Sequence, residues 1–156
     1  CKPVAKTPDD REALRDVIRE GHPRFFLGSD SAPHPLTSKY PSPASRGDST
    51  EALVHNCGCA AGIYTSAILL PLCATLLESF GALDQLAGFV SEHGRRFYQE
   101  PAPADRTVTL RRATPADPPV PAAYVHPDAF KLSDSDASKL QVVPFAAGER
   151  LAWVIE

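Results

Sequence analysis

The spacing of apolar positions changes character several times along the chain. Leu14, Val17 and Ile18 recur at helical intervals behind Thr7-Pro8-Asp9-Asp10. That opening offers an N-cap hydroxyl, a proline at the first helical position and acids in the first turn, and Gly21 stands where a C-cap belongs. Phe25 to Leu27 is instead a continuous apolar run of the kind a buried strand shows. It stops at Gly28 and is followed by Asp30 and His34 on a turn that Pro33 helps to fix. Residues 1–5 read as the tail of another buried strand. Strand, helix and strand predict a β-α-β unit with a right-handed crossover, whose two strand ends face one side, so that Lys2 and Asp30 become neighbours.

From Pro35 to Asn56 no apolar period is visible, and Pro35, Pro41, Pro43 and Gly47 mark a long polar loop. The run Asn56-Cys57-Gly58-Cys59-Ala60-Ala61-Gly62 is built of small residues that let backbone approach a ligand. Leu69, Leu72, Cys73, Leu76, Leu77 and Phe80 then form the stripe of a helix that ends at Gly81, with a kink expected at Pro71. A second helix uses Leu83, Leu86, Phe89 and Val90 and is expected to stop near Gly94. After Pro101 helical periodicity vanishes. One strand is expected at Thr107–Leu110, and two more, Val142–Phe145 and Leu151–Ile155, close the chain through Ala-Gly-Glu-Arg as a small β appendage on the main body. The division expected is 1–100 for the main body and 101–156 for the extension.

A chain of 156 residues with 43% hydrophobic content is long enough to bury a core. Its net charge of -3, with Arg and Lys scattered, supplies no basic face for nucleic acid. The longest apolar stretch, around Ala67 to Leu77, is interrupted by Pro71 and is too short for a bilayer, so no membrane partner is expected. Four cysteines, two of them one residue apart, do not read as a secreted disulfide framework, and a cytoplasmic protein is the default expectation. The sequence contains no Met, which predicts a piece or a processed chain whose amino-terminal part is missing.

For chemistry, a carboxylate and an imidazole at a strand end can act as metal ligand, general base or anion receptor, although an Asp there also serves as a plain turn former. His55-Asn56-Cys57-Gly58-Cys59 has too few separated ligand pairs for a structural zinc site, and tight-turn backbone fits it better. No nucleophile elbow or phosphate-cradling motif occurs. His22, His93 and His126 adjoin Gly or Pro and read as solvated loop residues, whereas Cys73 falls on the apolar stripe and reads as core.

Gly28-Ser29-Asp30-Ser31-Ala32-Pro33-His34, followed by Cys57-Gly58-Cys59-Ala60-Ala61-Gly62, resembles the carboxyl-terminal part of the dihydroorotases of the amidohydrolase superfamily. Cys1-Lys2-Pro3-Val4, Ala74-Thr75-Leu76-Leu77-Glu78, Gly81-Ala82-Leu83, Phe97-Tyr98 and Val143-Pro144-Phe145-Ala146-Ala147-Gly148-Glu149 extend the likeness in the same order. The Pro-rich insert between His34 and Cys57 is similar to the fungal forms. Glu92-His93-Gly94-Arg95-Arg96 departs from the Asn-Gly-Pro usual there.

The resemblance implies an α/β fold, the last two strands and helices of a (β/α)8 TIM barrel, with the β appendage after it. It implies that Asp30 binds one ion of a binuclear Zn2+ centre and serves as general base, and that His34 contacts the substrate carboxylate. Backbone at Lys2 and Ala60 would hydrogen-bond the pyrimidine ring. The substrate pair implied is N-carbamoyl-L-aspartate and dihydroorotate, interconverted in UMP synthesis, and the resemblance allows a homodimer in the parent. The remaining metal ligands are absent from this chain, so on its own it is expected to be inactive and not to hold zinc fully. Two alternatives stand beside this: another cyclic amidohydrolase, hydantoinase-like or dihydropyrimidinase-like, and a non-catalytic module derived from a barrel.

Overall fold

The computed structural model describes residues 7–35, 62–102, 106–126, 131, 133 and 141–156. The chain forms two compact units. One takes Cys1–Ser29, Ile68–Pro118 and Arg150–Glu156, the other Asp30–Ala67 and Pro119–Glu149.

In the first unit, α1 spans Pro8–Arg19 as its opening residues predict. Thr7 Oγ1 accepts from the Asp10 N–H (3.2 Å) and Asp10 Oδ2 accepts from the Thr7 N–H (3.0 Å), a reciprocal cap of the type that stabilises by about 1 kcal/mol. At the other end Gly21, at φ +64°, turns the chain out of the helix and donates to the Ile18 carbonyl at 3.0 Å. Val17 and Ile18 are half-buried while Leu14 stays exposed. The guanidinium groups of Arg15 and Arg19 lie 5.4 Å from the Phe80 ring centroid, and Arg19 Nε donates to the Phe80 carbonyl at 2.9 Å.

A 3₁₀ turn at Ser66–Ile68 leads into α2, Leu69–Ser79. Pro71 is not a kink. It occupies the first turn, where a backbone N–H has no intrahelical acceptor to lose, so the helix starts around it. The buried face carries Pro71, Cys73, Ala74 and Leu77, with Ala74 and Leu77 fully enclosed. Leu76, expected on the apolar stripe, is exposed.

Helical structure resumes with a 3₁₀ turn at Leu83–Gln85, a π turn at Gly88–Glu92 and α3 at His93–Tyr98. The expected stop near Gly94 is therefore wrong. The helix runs on to Tyr98 and ends at Gln99, at φ +57°. Gly94 is small for a different reason: a Cβ there would sit 3.3 Å from the Phe26 ring. Phe26 packs on Phe97 and Tyr98 at centroid distances of 5.5 and 6.0 Å.

The strand expected over Phe25–Leu27 is also not found. The segment has no regular secondary structure and joins no ladder among the described residues, and Leu27 donates its N–H to the Phe89 carbonyl at 2.9 Å instead. Its expected partner, residues 1–5, falls outside the described residues. No closed barrel exists among the described residues, and the strands found there pair antiparallel.

Here β1, Leu110–Arg112, pairs with β4, Trp153–Ile155, in the register Leu110 to Ile155 and Arg112 to Trp153. The ladder starts three residues later than expected at its first strand, leaving Val108 exposed. It lies against α2 through side chains. Trp153 Nε1 donates to Glu78 Oε2 at 3.1 Å, Arg112 pairs with the other Glu78 oxygen and stacks 4.9 Å over the Trp153 ring, and the Ala152 N–H donates to Thr75 Oγ1 at 3.2 Å.

In the second unit β2, Tyr124–Val125, pairs with β3, Gln141–Val142. The strand expected over Val142–Phe145 is cut short at Pro144, which lacks the N–H a ladder needs. Pro144 makes an isolated parallel bridge to Tyr64, and Phe145 donates to the Tyr64 carbonyl at 2.7 Å.

Candidate functional site

The segment carrying the predicted site belongs to the second unit from Asp30 onward. Asp30 takes φ +42°, a left-handed conformation that Asp tolerates better than most residues because its short polar side chain bonds locally, and it is exposed. The four residues after it are held mainly by backbone. Ser31 Oγ accepts the N–H groups of Thr65 and Ser66, both at 3.0 Å, capping the start of the 3₁₀ turn. Ala32 donates to the Ile63 carbonyl at 2.9 Å, and Pro35 bridges to Val142. Between them His34 is half-buried.

Gly62 is the tightest point of this arrangement. It adopts φ +48°, and a Cβ built on it would fall 2.5 Å from His34 Cδ2, 2.7 Å from the Ala32 carbonyl oxygen and 2.8 Å from Ala32 Cβ. Thr65, beside it, is buried, and its Oγ1 has no hydrogen-bond partner among the described residues. Asp30 and His34 are thus delivered on one short segment. Lys2 and Ala60, predicted to offer backbone groups, lie outside the described residues, as do His55, Cys57 and Cys59.

The other predicted residues divide. Cys73 is core as expected, and burial pushes its thiol pKa up. His93 is not a solvated loop residue: it opens α3, is half-buried, and its Nδ1 is enclosed without a partner among the described residues. His22 is half-buried with its ring edge-on to Phe25 at 5.3 Å, whereas His126 is exposed.

Sequence reading missed a second polar cluster, in the first unit. Asp117 takes a two-pronged ion pair from Arg111 (2.6 and 2.9 Å) together with the Thr114 N–H at 2.7 Å and the Thr114 hydroxyl at 2.8 Å. The Arg111 guanidinium, and next the Thr114 donors, hold the Asp117 carboxyl well below the usual carboxylate range. The Thr-x-x-Asp spacing of Thr114 and Asp117 was the available signal. The cluster borders a depression of about 490 Å³, lined among others by Arg112, Pro115, Arg150, Leu151 and Val154. Arg150 is already engaged there with the carbonyls of Pro115 and Asp117, so the feature reads as a braced corner.

No family model matches the chain. Individual relatives do, over its whole length. A dihydroorotase from Mycosarcoma maydis is 58% identical across 99% of this chain. The chain is similar to a part of the dihydroorotases. A dihydroorotase from Alkalilimnicola ehrlichii is 40% identical over 98% of it. The chain spans 45% of the length of the first relative and 36% of the second. Among solved structures, dihydroorotase from Saccharomyces cerevisiae in complex with 5-fluoroorotic acid superposes with a TM-score of 0.66 at 31% identity, and that from Campylobacter jejuni with 0.69 at 29%. Both cover all of this chain and 36% of the solved one, so the mixed helix-and-strand structure described above corresponds to a fragment of dihydroorotase structures.

A family zinc centre does not fit the residues described here. No three His, Cys, Asp or Glu side chains among them come together as metal ligands, and Asp30 is a single exposed carboxylate. No helix among the described residues is long and apolar enough to cross a membrane.

Proposed function

We propose that this chain is the carboxyl-terminal portion of a dihydroorotase whose complete form interconverts N-carbamoyl-L-aspartate and dihydroorotate in UMP synthesis. The observation that supports this is the match of all of this chain to 36% of the yeast enzyme solved with 5-fluoroorotic acid, a pyrimidine bearing a carboxylate, which is the group His34 would meet. Residues 1–100 would supply the last two strands and helices of the barrel and residues 101–156 the extension. The ladder missing at Phe25–Leu27 would form once the preceding strands are present.

In the complete protein Asp30 would be one carboxylate among metal ligands that otherwise come from outside this chain. Its further role would be to accept a proton from the water that attacks the amide carbonyl and to return it to the nitrogen as the carbon–nitrogen bond breaks. The exposure of the Asp30 carboxylate is compatible with such a shuttle. His34 would pair with the substrate carboxylate, and backbone at Lys2 and Ala60 would orient the ring. A hydantoinase-like enzyme, the alternative, has no need of the His34 contact.

The test compares the chain as given with the full-length parent. The chain alone is expected to show no turnover of N-carbamoyl-L-aspartate and less than stoichiometric zinc, and the parent to show both. In the parent, His34→Ala should raise KM for the acidic substrate by tenfold or more. Stoichiometric zinc with turnover in the isolated chain would overturn the proposal, and so would a parent that processes uncharged cyclic amides in preference.

A further inference from the structure

We infer that Gly62 is a positioning residue for His34: it is the one residue size that leaves the imidazole room to meet a carboxylate. This rests on the substrate-binding role proposed above for His34. The geometry singles out the position twice. Gly62 holds φ +48°, which L side chains rarely adopt, and the space its missing side chain would fill is already taken from two directions. On one side stands His34 Cδ2 at 2.5 Å, on the other the Ala32 carbonyl oxygen at 2.7 Å and Ala32 Cβ at 2.8 Å. Contacts under 3.0 Å require something to move.

The two neighbours differ in what they can yield. Ala32 is tied down, since its N–H is committed to Ile63 and the residue before it to Thr65 and Ser66. Those bonds make the backbone at Ala32 the stiffer of the two neighbours. His34 is attached through rotatable bonds and is only half-buried, so the imidazole is the part that swings away. A methyl group at position 62 therefore acts on the ring of His34, and a misplacement of about 1 Å in a carboxylate-binding group is enough to weaken substrate binding strongly. Asp30, whose backbone lies beyond Ser31 from this contact, is not displaced by the same movement.

The experiment measures steady-state kinetics in the full-length parent for Gly62→Ala, His34→Ala and the double variant, with thermal melting to follow folding. Gly62→Ala is expected to raise KM for N-carbamoyl-L-aspartate by about tenfold while kcat changes less than threefold. In the His34→Ala background the same substitution should add less than a twofold further change, because the ring it displaces is gone. Equal losses in both backgrounds, or a fall in kcat with KM unchanged, would overturn the positioning role. If Gly62→Ala does not fold, Ala32→Val fills the same space from the opposite side without a positive-φ penalty, and the same selective rise in KM is expected. A wild-type KM in that variant would count against the inference. Should His34→Ala itself leave KM unchanged, the proposed substrate contact fails and the inference fails with it. An effective His34→Ala beside an ineffective Gly62→Ala removes the inference alone.

Discussion

The corner where β4 meets α2 and the segment from Ser31 to Pro35 are both junctions in which a short stretch of chain is held against a neighbour. At the corner, side chains do the holding. Glu78 receives Trp153 and Arg112, Thr75 donates to the Pro71 carbonyl at 2.8 Å while accepting from Ala152, and each polar atom is consumed by its partner. At the Ser31–Pro35 segment backbone bonds and one serine hydroxyl carry the load, and the carboxylate of Asp30 remains exposed. Rigidity alone is cheapest from interlocked side chains. Where a side chain must stay available to something else, the main chain has to supply the rigidity.

The comparison breaks most decisively at Asp30. In the full-length parent, Asp30→Gly is expected to lower turnover by about 10²–10⁴-fold, the range for loss of a proton-transferring group. With metal removed by a chelator, the same change should leave the melting temperature equal or slightly raised, because glycine accepts φ +42° at no steric cost. A marked loss of stability would mean that Asp30 is a structural turn residue after all. Next in size is Leu77→Ala, which empties a fully buried position beneath the corner and should cost about 2–5 kcal/mol in denaturant unfolding, with kinetics at 25 °C little changed. Glu78→Ala should cost about 1–2 kcal/mol, since it removes the acceptor of the Trp153 N–H. The Arg112 pair is mostly exposed and adds little to that figure.

The smallest effect is expected from acid. The Asp117 carboxyl has a folded pKa lowered from 3.8, so the stability it contributes is fully present above its unfolded value and is lost as pH falls through the lower, folded one. Asp117→Asn should therefore narrow the difference in melting temperature between pH 6 and pH 3, and an unchanged difference would show that the Arg111 pair is too solvated to matter. These measurements also separate the two junctions, because the corner should respond in stability and the Asp30 segment in catalysis.

Much of α1 was legible in its sequence because capping is local: Thr7, Pro8, Asp10 and Gly21 each act within four residues of their own position. The helical stripe of α2 was legible for the same reason, although its buried face is rotated toward Ala74 and away from Leu76. What local pattern could not give is identity of partner. Gly94 looked like a stop because glycine usually ends helices, yet its smallness answers to Phe26, far away in sequence. The apolar run Phe25–Leu27 looked like a strand because strands are apolar, but a strand exists only through its neighbours. Asp30 and His34 stand out as candidates by residue type and spacing, whereas nothing in Ser31 or Gly62 as residue types announces the bonds and the close approach found at them.

The π turn at Gly88–Glu92 has a consequence for how this stretch tolerates change in length. Such a turn holds one residue more than an α-helical turn would. Removing a single residue from it would restore ordinary winding and leave everything downstream close to its present phase, because a π turn and an α turn each close one circuit of the axis. Phe97 and Tyr98 would then stay on the side of Phe26, and Gly94 would still face it. The extra residue is thus absorbed locally, and shortening the chain by one residue there is expected to be better tolerated than the same deletion in α1 or α2, where it would turn the following residues by about 100°.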